Sequence, residues 1–279
     1  MNYNSTANSL TFAQPFDRAC DRISERAQVL FVDNSDGELL GDLATSLRRV
    51  GSGARCLNPG ANLGYFGGAR FGLEILQAQG RMSQWVVVSN VDLTFDPLAF
   101  VEILESIDAP SVGVVAPSVR STLTGRELNP YLRGRPSALR MHAYKWVYRY
   151  YSTMCVYEWM SAARGHLLAR NRAASIVKGT GPERLGEAVD CEPIYAGHGS
   201  IMAFSAEYFR RGGNLDHKPF LFGEEISVAE AARRIGLPIV WVPLIKVEHH
   251  EHVSVGRLPG RRKYGFLREA TAHCADRYF

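Results

Sequence analysis

Two acidic residues stand directly after apolar strands in the first third of the chain. Asp33 ends the strand in "VLFVDNSDG", and Asp92 follows the apolar run 85–88 in "QWVVVSNVDLTFDP". A carboxylate two residues after Asn90 suits a hard divalent cation, which prefers oxygen ligands and shares them with substrate phosphates. Asp33 can accept hydrogen bonds from a base N–H or a ribose hydroxyl. Each also has a purely structural interpretation, Asp92 as a cap of the turn before the helix at Pro97 and Asp33 as an Asx turn.

A glycine-rich turn lies between these two acids. The stretch "NPGANLGYFGGARFG", residues 58–72, follows a strand and opens a helix. Such a turn lets the backbone approach a phosphate or ribose closely. It differs from GxGxxG and lacks the lysine of a P-loop, so by itself it has low specificity.

Two further groups of candidate residues lie in the last quarter of the chain. Glu224 and Glu225 begin a helix, where first-turn acids gain roughly 0.3–1 kcal/mol from the helix dipole, or where one of them acts as a general base. The sequence "EHHEH" places His249, His250 and His252 at the end of an apolar strand. Their spacing differs from that of HExxH or zinc-finger sites. They are therefore either surface histidines or a source of one ligand to a metal site built elsewhere.

Apolar periodicity predicts the elements that position these residues. Strands and helices alternate in the first half, which is typical of βαβ units and favours an α/β fold with a mostly parallel sheet. Ligands of such sheets bind beyond the carboxyl ends of the strands, and both strand-end acids would lie there. A proline-free segment, 137–172, predicts one long helix or two. The predicted strands are 28–32, 54–57, 85–88 and 112–116, and the predicted helices are 36–50, 66–79 and 97–106.

Composition restricts the class of protein. The 279 residues are 46% hydrophobic and 22% charged, as in folded globular proteins, which excludes disordered and fibrous classes. The longest apolar runs are far shorter than the roughly 18 residues of a membrane-spanning helix, and no basic-then-apolar signal segment opens the chain. Five scattered cysteines without a CxxC pair argue for a reducing compartment and against a zinc site. We expect the cytoplasm.

The charge of the chain is unevenly distributed. The net charge is +4, yet residues 130–178 alone carry nine Lys or Arg against one acid, so the remainder is acidic. A second basic stretch occupies 257–268. A basic face indicates an anionic partner such as phosphate, lipid headgroups or nucleic acid, unless it is simply a solvated helix face. Because no nucleic-acid recognition motif is present, we expect no nucleic-acid partner.

The order of these motifs resembles a known family. "VDNSDGE", "NPGANLGYFGGARFG", "SNVDLTFDP", "GHGSIMAFSAEYF", "FLFGEEISVAEAARRIG" and "VEHHEHVS" are similar, in order and spacing, to family 2 glycosyltransferases of the GT-A fold. The likeness is greatest to the bacterial rhamnosyltransferase-like branch that builds surface polysaccharides. It covers about residues 1–256, with 120–190 matched only loosely.

The resemblance implies an architecture. The GT-A fold is α/β, with a mostly parallel central sheet flanked by helices and a helical insertion that forms an acceptor region. By this likeness, 1–119 form the nucleotide-sugar-binding half, 120–256 the acceptor-binding and catalytic half, and 257–279 a basic C-terminal tail. Residues 2–5 resemble the segment just after the family's first strand, and the strand itself has no counterpart in the sequence.

The resemblance also implies roles for single residues. Asp92 corresponds to the metal ligand of the DxD-type motif, in its Asn-first variant. His249 corresponds to a late metal-binding or pyrophosphate-binding histidine, with His250 and His252 as rivals. Glu225 corresponds to the catalytic base, although Glu replaces the family's Asp and leaves Glu224 open as an alternative. The residues that correspond to the donor-nucleotide site are Asp33, Asn62, Gly64, Gly67, Gly68 and Asn90.

The implied function is inverting, metal-dependent transfer of rhamnose or a hexose. The donor would be a dTDP- or UDP-linked sugar, the cofactor Mg²⁺ or Mn²⁺, and the acceptor a hydroxyl of a glycan or lipid-linked glycan in surface polysaccharide synthesis. The basic, aromatic segment would contact an anionic membrane peripherally. Two alternatives are a non-catalytic GT-A-like domain that binds a sugar nucleotide or a partner, and a nucleotide-sugar pyrophosphorylase. The second lacks its usual glycine-rich, basic N-terminal signature.

Overall fold

The computed structural model of the chain describes residues 1–23, 25–36, 41–161, 190–250 and 260–279. The chain divides into two compact units. Unit 1 comprises Met1–Arg135 and Val189–Leu258, and unit 2 comprises Pro136–Ala188 and Pro259–Phe279.

The helices and strands follow one another along the described chain as an α/β protein. In order they are α1 (Thr6–Arg18), α2 (Cys20–Ile23), β1 (Leu30–Val32), α3 (Asp42–Arg49), β2 (Arg55–Leu57), α4 (Tyr65–Ala78), β3 (Trp85–Ser89), β4 (Leu93–Thr94), α5 (Pro97–Glu105), a short 3₁₀ helix (Ala109–Ser111), β5 (Val114–Ser121), α6 (Ala138–Val147), α7 (151–161), β6 (Glu192–Ile194), β7 (Ile201–Ser205), α8 (Ala206–Arg210), α9 (Glu224–Arg234), β8 (Ile239–His249) and α10 (Gly260–Tyr278).

The central sheet of unit 1 has six strands in the order β3-β7-β5-β8-β4, with β6 also pairing with β8. Strands β1 and β2 form a separate parallel pair. The predicted α/β class, with a central sheet flanked by helices, is confirmed. The expectation of a mostly parallel sheet is wrong, because within the six-stranded sheet only β5 and β8 pair in parallel among the described strands. Strand β7, which comes from the second half of the chain, pairs antiparallel with both β3 and β5, and β8 pairs antiparallel with β4 and β6.

The hydrophobic core of unit 1 covers both faces of this sheet. Successive residues of β5 point to opposite faces, so Val114 packs in one buried cluster and Val115 in the other. Phe66 of α4 belongs to the first cluster, and Phe100 of α5 belongs to the second. Each large buried side chain contributes roughly 1.5–3 kcal/mol. This double packing holds the strands rigidly, and with them the residues at their ends.

Unit 2 contains the helical segment and the C-terminal stretch. The predicted segment 137–172 forms two helices, α6 and α7, with a turn at 148–150 between them. Its part from 162 onward lies outside the described residues, as do the basic residues Arg164, Arg170, Arg172 and Lys178. The stretch expected as a basic tail forms α10, which packs on α6. Tyr264 O–H of α10 donates to the Arg149 carbonyl at 2.7 Å.

Candidate active site

Asp92 lies between β3 and β4 with its side chain only 10% exposed. Its backbone carbonyl accepts the N–H of His250 at 2.8 Å. Its Oδ1 is buried and has no hydrogen-bond partner among the described residues, and it lies 3.4 Å from His249 Nε2. The cap of α5 is instead Asp96, whose carboxylate accepts two backbone N–H groups of the first turn. The structural interpretation of Asp92 as a cap is therefore wrong.

The three candidate histidines are distinguished by strand geometry. His249 ends β8 and faces Asp92. The next residue of a strand points to the opposite side, and His250 Nε2 accordingly lies 2.8 Å from Thr94 Oγ1. His252 lies outside the described residues. Of the two described histidines, His249 is the one beside Asp92.

A further histidine, His198, adjoins this pair. Its ring centroid lies 5.9 Å from that of His249, and its Nδ1 accepts the Ser200 N–H at 3.2 Å. Burial lowers the pKa of His198 to about 4, with His249 lowering it further and Asp92 opposing the shift. The ring is therefore neutral near pH 7. His198 lies in the "GHGS" segment, and the sequence patterns assigned it no role. The feature that could have identified it is a polar residue in a glycine-rich turn directly before a strand.

Asp92 and His249 fit a divalent cation that also takes ligands from a substrate. Among the described residues, no three His, Cys, Asp or Glu side chains form a group that could hold an ion by themselves. Mg²⁺ and Mn²⁺ keep several ligands from water and substrate phosphates, so one carboxylate and one imidazole from the protein suffice. Leaving a buried carboxylate oxygen unpaired is unfavourable. Asp92 Oδ1 has no hydrogen-bond partner among the described residues and lies 3.4 Å from His249 Nε2, so a cation held by both side chains would satisfy it.

The two candidate bases lie in the first turn of α9. Glu224 is buried, and burial followed by repulsion from Glu225 raises its pKa to about 8. Burial also raises the pKa of Glu225, whereas the hydrogen bond from the Gly199 N–H to its Oε1, at 3.2 Å, opposes that rise. The hydrogen bond from the Gly199 N–H thus favours the charged form of Glu225.

The turn at 198–200 connects the bases to the strand-end acid. The Gly199 carbonyl accepts the Tyr65 O–H at 2.7 Å, and the Ser200 carbonyl accepts the Asn90 N–H at 2.8 Å. A Cβ on Gly199 would lie 2.7 Å from Glu225 Oε1, so a larger residue there would displace the Glu225 carboxylate. The turn therefore contacts Glu225 through Gly199 and Asn90 through Ser200.

Asp33 lies at the end of β1 and is 1% exposed. Its Oδ1 accepts hydrogen bonds from Asn2 Nδ2 at 2.8 Å and from the Ser35 N–H at 3.1 Å. The second bond is an Asx turn, so the structural interpretation holds for this oxygen. Its Oδ2 is buried without a partner among the described residues. One acceptor is therefore left for a ligand.

The glycine-rich turn joins this acid to α4. Asn34 Nδ2 donates to the Gly64 carbonyl at 2.8 Å, and Asn62 Oδ1 accepts the Gly64 N–H at 3.0 Å. Gly64 has φ +76° and ψ −174°, a conformation that is essentially restricted to glycine. A Cβ there would lie 2.3 Å from the Phe220 carbonyl oxygen, and one on Gly68 would lie 2.7 Å from Asn34 Nδ2. Packing against backbone therefore requires glycine at position 64, whereas a larger residue at position 68 would displace the side chains of Met1 and Asn34.

The predicted site residues thus fall into two groups in unit 1. The first group surrounds the ends of β3 and β8 and the start of α9, and the second surrounds the end of β1 and the start of α4. The roles assigned to them stay predictions. The first group contains Asn90, Asp92, Glu224, Glu225 and His249, and the second contains Asp33, Asn62, Gly64, Gly67 and Gly68.

Comparison with known proteins finds relatives of one kind. No protein-family model matches the chain. Two curated relatives are N-acetylglucosaminyl-diphospho-decaprenol L-rhamnosyltransferases of Mycobacterium tuberculosis, strains CDC 1551 / Oshkosh and ATCC 25618 / H37Rv. Each is 25% identical over 260 residues, which cover 90% of this chain and 75% of the relative.

The fold resembles a solved glycosyltransferase. The crystal structure of GalNAc-T7 with UDP, GalNAc and Mn²⁺ matches 87% of this chain with a TM-score of 0.50 and 13% identity. The chain spans 41% of that protein, and the likeness is one of fold. The resemblance indicated by the sequence motifs is confirmed: the chain is similar in sequence to curated rhamnosyltransferases and in fold to a solved GT-A glycosyltransferase.

Proposed function

We propose that the chain is an inverting, metal-dependent glycosyltransferase that moves rhamnose or a hexose from a dTDP- or UDP-linked donor to a hydroxyl of a glycan or lipid-linked acceptor. The observation that carries this proposal is the buried, unpartnered Asp92 Oδ1, 3.4 Å from His249 Nε2. The names of the curated relatives support rhamnose as the sugar and a diphospho-decaprenol glycan as the acceptor class.

The donor's nucleotide would bind between the ends of β1 and β3. Asp33 Oδ2, buried and unpartnered among the described residues, would accept an N–H of the base. The turn at Asn62 and Gly64, which is hydrogen-bonded to Asn34, would line the other side of the nucleotide site. The crevice at the carboxyl ends of strands is where α/β sheets bind their ligands.

Asp92 and His249 would hold a Mg²⁺ or Mn²⁺ ion together with the donor's diphosphate. When bound, such an ion neutralises negative charge on the departing diphosphate. Burial of Asp92 keeps its carboxylate away from bulk water, which strengthens its attraction for a cation. The neutral His198 beside His249 adds no positive charge that would oppose an ion.

Glu225 would accept the proton of the acceptor hydroxyl. The acceptor oxygen then bonds to the anomeric carbon as the bond from that carbon to the diphosphate oxygen breaks on the opposite side, which inverts the configuration. The Gly199 N–H stabilises the charged form of Glu225, which a base requires. Glu224, with its pKa raised to about 8, is largely protonated near pH 7.

Unit 2 would bring the enzyme to the cytoplasmic face of an anionic membrane. Trp146 and Trp159 are 62% and 73% exposed, and Leu139 is 82% exposed. Arg140 and Lys145 belong to the same helix, α6, as Trp146. Exposed aromatic residues beside basic ones are typical of peripheral contact with acidic headgroups. In the part of the chain that the structure describes, every helix is too short or too polar to span a bilayer.

A donor screen tests the proposal. The melting temperature of the chain is measured with dTDP-rhamnose, UDP-glucose, UDP-galactose and the free nucleotides, each with Mn²⁺ or with EDTA. We expect one sugar nucleotide to raise it in Mn²⁺ and not in EDTA, and the same donor to be consumed with an acceptor. Binding without any hydrolysis or transfer would favour the non-catalytic alternative, and no shift with any nucleotide would contradict the proposal.

A further inference from the structure

Tyr131 is an exposed aromatic residue that contacts the candidate active site. Its ring meets that of His198 edge to face, with the centroids 6.2 Å apart and an angle of 74° between the planes. His198 in turn adjoins His249, which lies beside Asp92. The residue after His198 donates its N–H to the Glu225 carboxylate. Tyr131 thus lies at the edge of the first group of site residues.

The backbone on both sides of Tyr131 is fixed. Leu132 and Ala196 form an antiparallel bridge, in which the N–H of each residue donates to the carbonyl of the other at 3.0 Å. Asn129 is buried, and its Nδ2 donates to the Pro117 carbonyl of β5 at 2.8 Å. Because Tyr131 is 48% exposed, this anchored segment holds an exposed ring in a defined position.

Asn129 also fixes the position of His198. The Oδ1 atom of Asn129 accepts the His198 N–H at 2.7 Å, so one buried side chain anchors the segments that carry both rings. Because the Tyr131 ring is held before any ligand binds, little conformational freedom is lost on binding. Tyrosine suits such a role, since it offers a large contact area through only two rotatable side-chain angles.

Tyr131 lies on the side of the site that is away from the proposed nucleotide position. The nucleotide would bind between the ends of β1 and β3, whereas Tyr131 follows β5, which β7 separates from β3. Inversion requires the acceptor hydroxyl to approach the anomeric carbon from the face opposite the departing diphosphate. An acceptor that meets this requirement approaches from the β5 side, where Tyr131 is exposed.

The exposed ring matches one part of a glycan. A pyranose ring carries C–H groups on its faces and hydroxyl groups around its rim. An aromatic ring can cover the C–H groups and remove their apolar surface from water, while the hydroxyl groups at the rim stay hydrated. This contact requires no charge on the ligand, which suits the neutral sugar of an acceptor.

We propose that Tyr131 binds the acceptor by stacking on the sugar ring that carries the attacking hydroxyl. The stacked sugar would present this hydroxyl toward Glu225. The inference rests on the proposed function and deepens it, because it specifies a pyranose ring as the part of the acceptor that the chain recognises. It requires the aromatic ring of Tyr131 and not its O–H group.

NMR titration with single sugars tests the proposal. The chain is labelled with ring-¹³C tyrosine, and spectra are recorded with dTDP or UDP, Mg²⁺ and the methyl glycoside of N-acetylglucosamine, glucose, galactose or rhamnose. The signals of Tyr131 are those that are absent from Tyr131→Phe. We expect at least one glycoside to shift them, because a sugar stacked on the ring changes the environment of its carbon and hydrogen nuclei.

Three variants separate stacking from other effects. We expect Tyr131→Ala to weaken the binding of that glycoside about tenfold, measured by saturation-transfer NMR, since the contact of an aromatic ring is lost. Tyr131→Phe retains the ring and should bind the glycoside as tightly as the wild type. Tyr150→Ala removes a tyrosine of similar exposure in unit 2, and this matched control should also bind as the wild type. The dissociation constant of the nucleotide should be unchanged in all three variants.

Several outcomes would decide against a role in acceptor binding. If no glycoside shifts the Tyr131 signals, or if Tyr131→Ala binds the sugar as tightly as the wild type, the proposal is wrong. An equal loss of nucleotide affinity in Tyr131→Ala would show that the residue supports the donor site through His198 instead. Sugar binding that depends on Tyr131, in a chain that transfers no sugar from any donor, would support this inference and contradict the proposed transferase activity.

Discussion

Asp92 and Asp33 share one unusual property at the scale of single residues. Each is a buried carboxylate with one oxygen that lacks a hydrogen-bond partner among the described residues. An unsatisfied buried acceptor costs about 1–3 kcal/mol, and more when it is charged. One of these atoms follows β1 and the other follows β3, and a bound ligand would satisfy both. This is the physical basis for assigning both acids to a donor site.

Replacing Asp92 tests the metal assignment. Asp92→Asn keeps the size of the side chain and removes its charge, so we expect Mn²⁺ affinity to fall by more than the roughly 10–100-fold that loss of an outer-shell partner costs. Isothermal titration with Mn²⁺ and a nucleoside diphosphate measures it. Asp96→Asn is the matched control, because Asn caps helices as well as Asp does. Wild-type affinity in Asp92→Asn would show the assignment to be wrong.

Replacing the two glutamates one at a time identifies the base. Glu225→Gln removes the proton acceptor, and we expect kcat to fall by about 10²–10⁴-fold while the dissociation constant of the donor stays unchanged. Glu224→Gln should lower kcat only a few-fold, since that carboxyl is already largely protonated near pH 7. Steady-state transfer rates and donor titrations measure both effects. The reverse ranking would make Glu224 the base.

At the scale of elements, the site depends on one loop, 217–223, that leads into α9. Its backbone meets the glycine turn before α4, where the Phe220 carbonyl accepts the Tyr65 N–H at 3.3 Å. His217 connects the loop to α9. Its Nε2 lies 2.7 Å from the Phe222 carbonyl oxygen, and its Nδ1 lies 2.7 Å from Ser227 Oγ. The starts of α4 and α9, which carry the donor turn and the candidate bases, are thereby positioned together.

Substitutions at Gly60 and Gly64 distinguish the destabilisation caused by backbone strain from that caused by overlap with the Phe220 carbonyl. Gly60 and Gly64 both have positive φ, but a Cβ at Gly60 meets nothing within 4 Å, whereas one at Gly64 would overlap the Phe220 carbonyl. We expect Gly60→Ala to destabilise the fold by about 1–2 kcal/mol through strain alone. Gly64→Ala should cost at least about 1–3 kcal/mol from strain together with the added overlap. Urea unfolding measures both, and equal losses would show that the close approach to Phe220 does not matter.

The buried Glu224 predicts how stability depends on pH. Its pKa is raised from 4.5 to about 8 in the folded chain. Between these values the folded state retains a proton that the unfolded state has lost, so stability falls as pH rises from 5 to 8. Melting temperatures measured across that range in EDTA should fall less steeply in Glu224→Gln. The exposed Glu74→Gln is the control; identical slopes in both variants would contradict the prediction.

At the scale of the whole molecule, charge and exposed aromatic residues concentrate in unit 2. Nine Lys or Arg and one acid lie within 130–178, and seven of these nine belong to unit 2. The described part of this segment exposes Trp146, Trp159 and Met160. Isolated exposed apolar residues are ordinary, but several beside basic residues mark an interaction surface. This distribution is the reason that the proposed function assigns donor binding to unit 1 and membrane contact to unit 2.

Flotation with vesicles tests the membrane surface. The chain should bind vesicles that contain phosphatidylglycerol and not pure phosphatidylcholine, and binding should weaken at high salt because surface charge is screened. The double variant Trp146→Ala with Trp159→Ala should lose most of the binding. Leu244→Ala, which removes an exposed apolar residue of unit 1, should keep it. Equal binding of both vesicle types would exclude the electrostatic contact.

The sequence by itself determined the α/β class, the strand ends that carry Asp33 and Asp92, and the helix start that carries Glu224 and Glu225. These features are local, because apolar periodicity and the residues that punctuate it report element type and burial directly. The order of the motifs along the chain also sufficed to indicate the family resemblance. None of this required knowledge of which segments are neighbours in space.

Only the tertiary structure decided which strands pair and which side chains meet. Strand β7 pairs with β3 across more than a hundred residues of chain, and nothing in the local pattern of either strand specifies that partner or its antiparallel direction. The approach of His198 to His249 also depends on long-range pairing, because β7, which follows His198, and β8, which ends at His249, both pair with β5. Pairing with β5 and β4 sets the register of β8. Because successive side chains then point to opposite faces, His249 and His250 face different sides. Strand pairing is chosen by packing of the whole core, so it is absent from any short window of sequence.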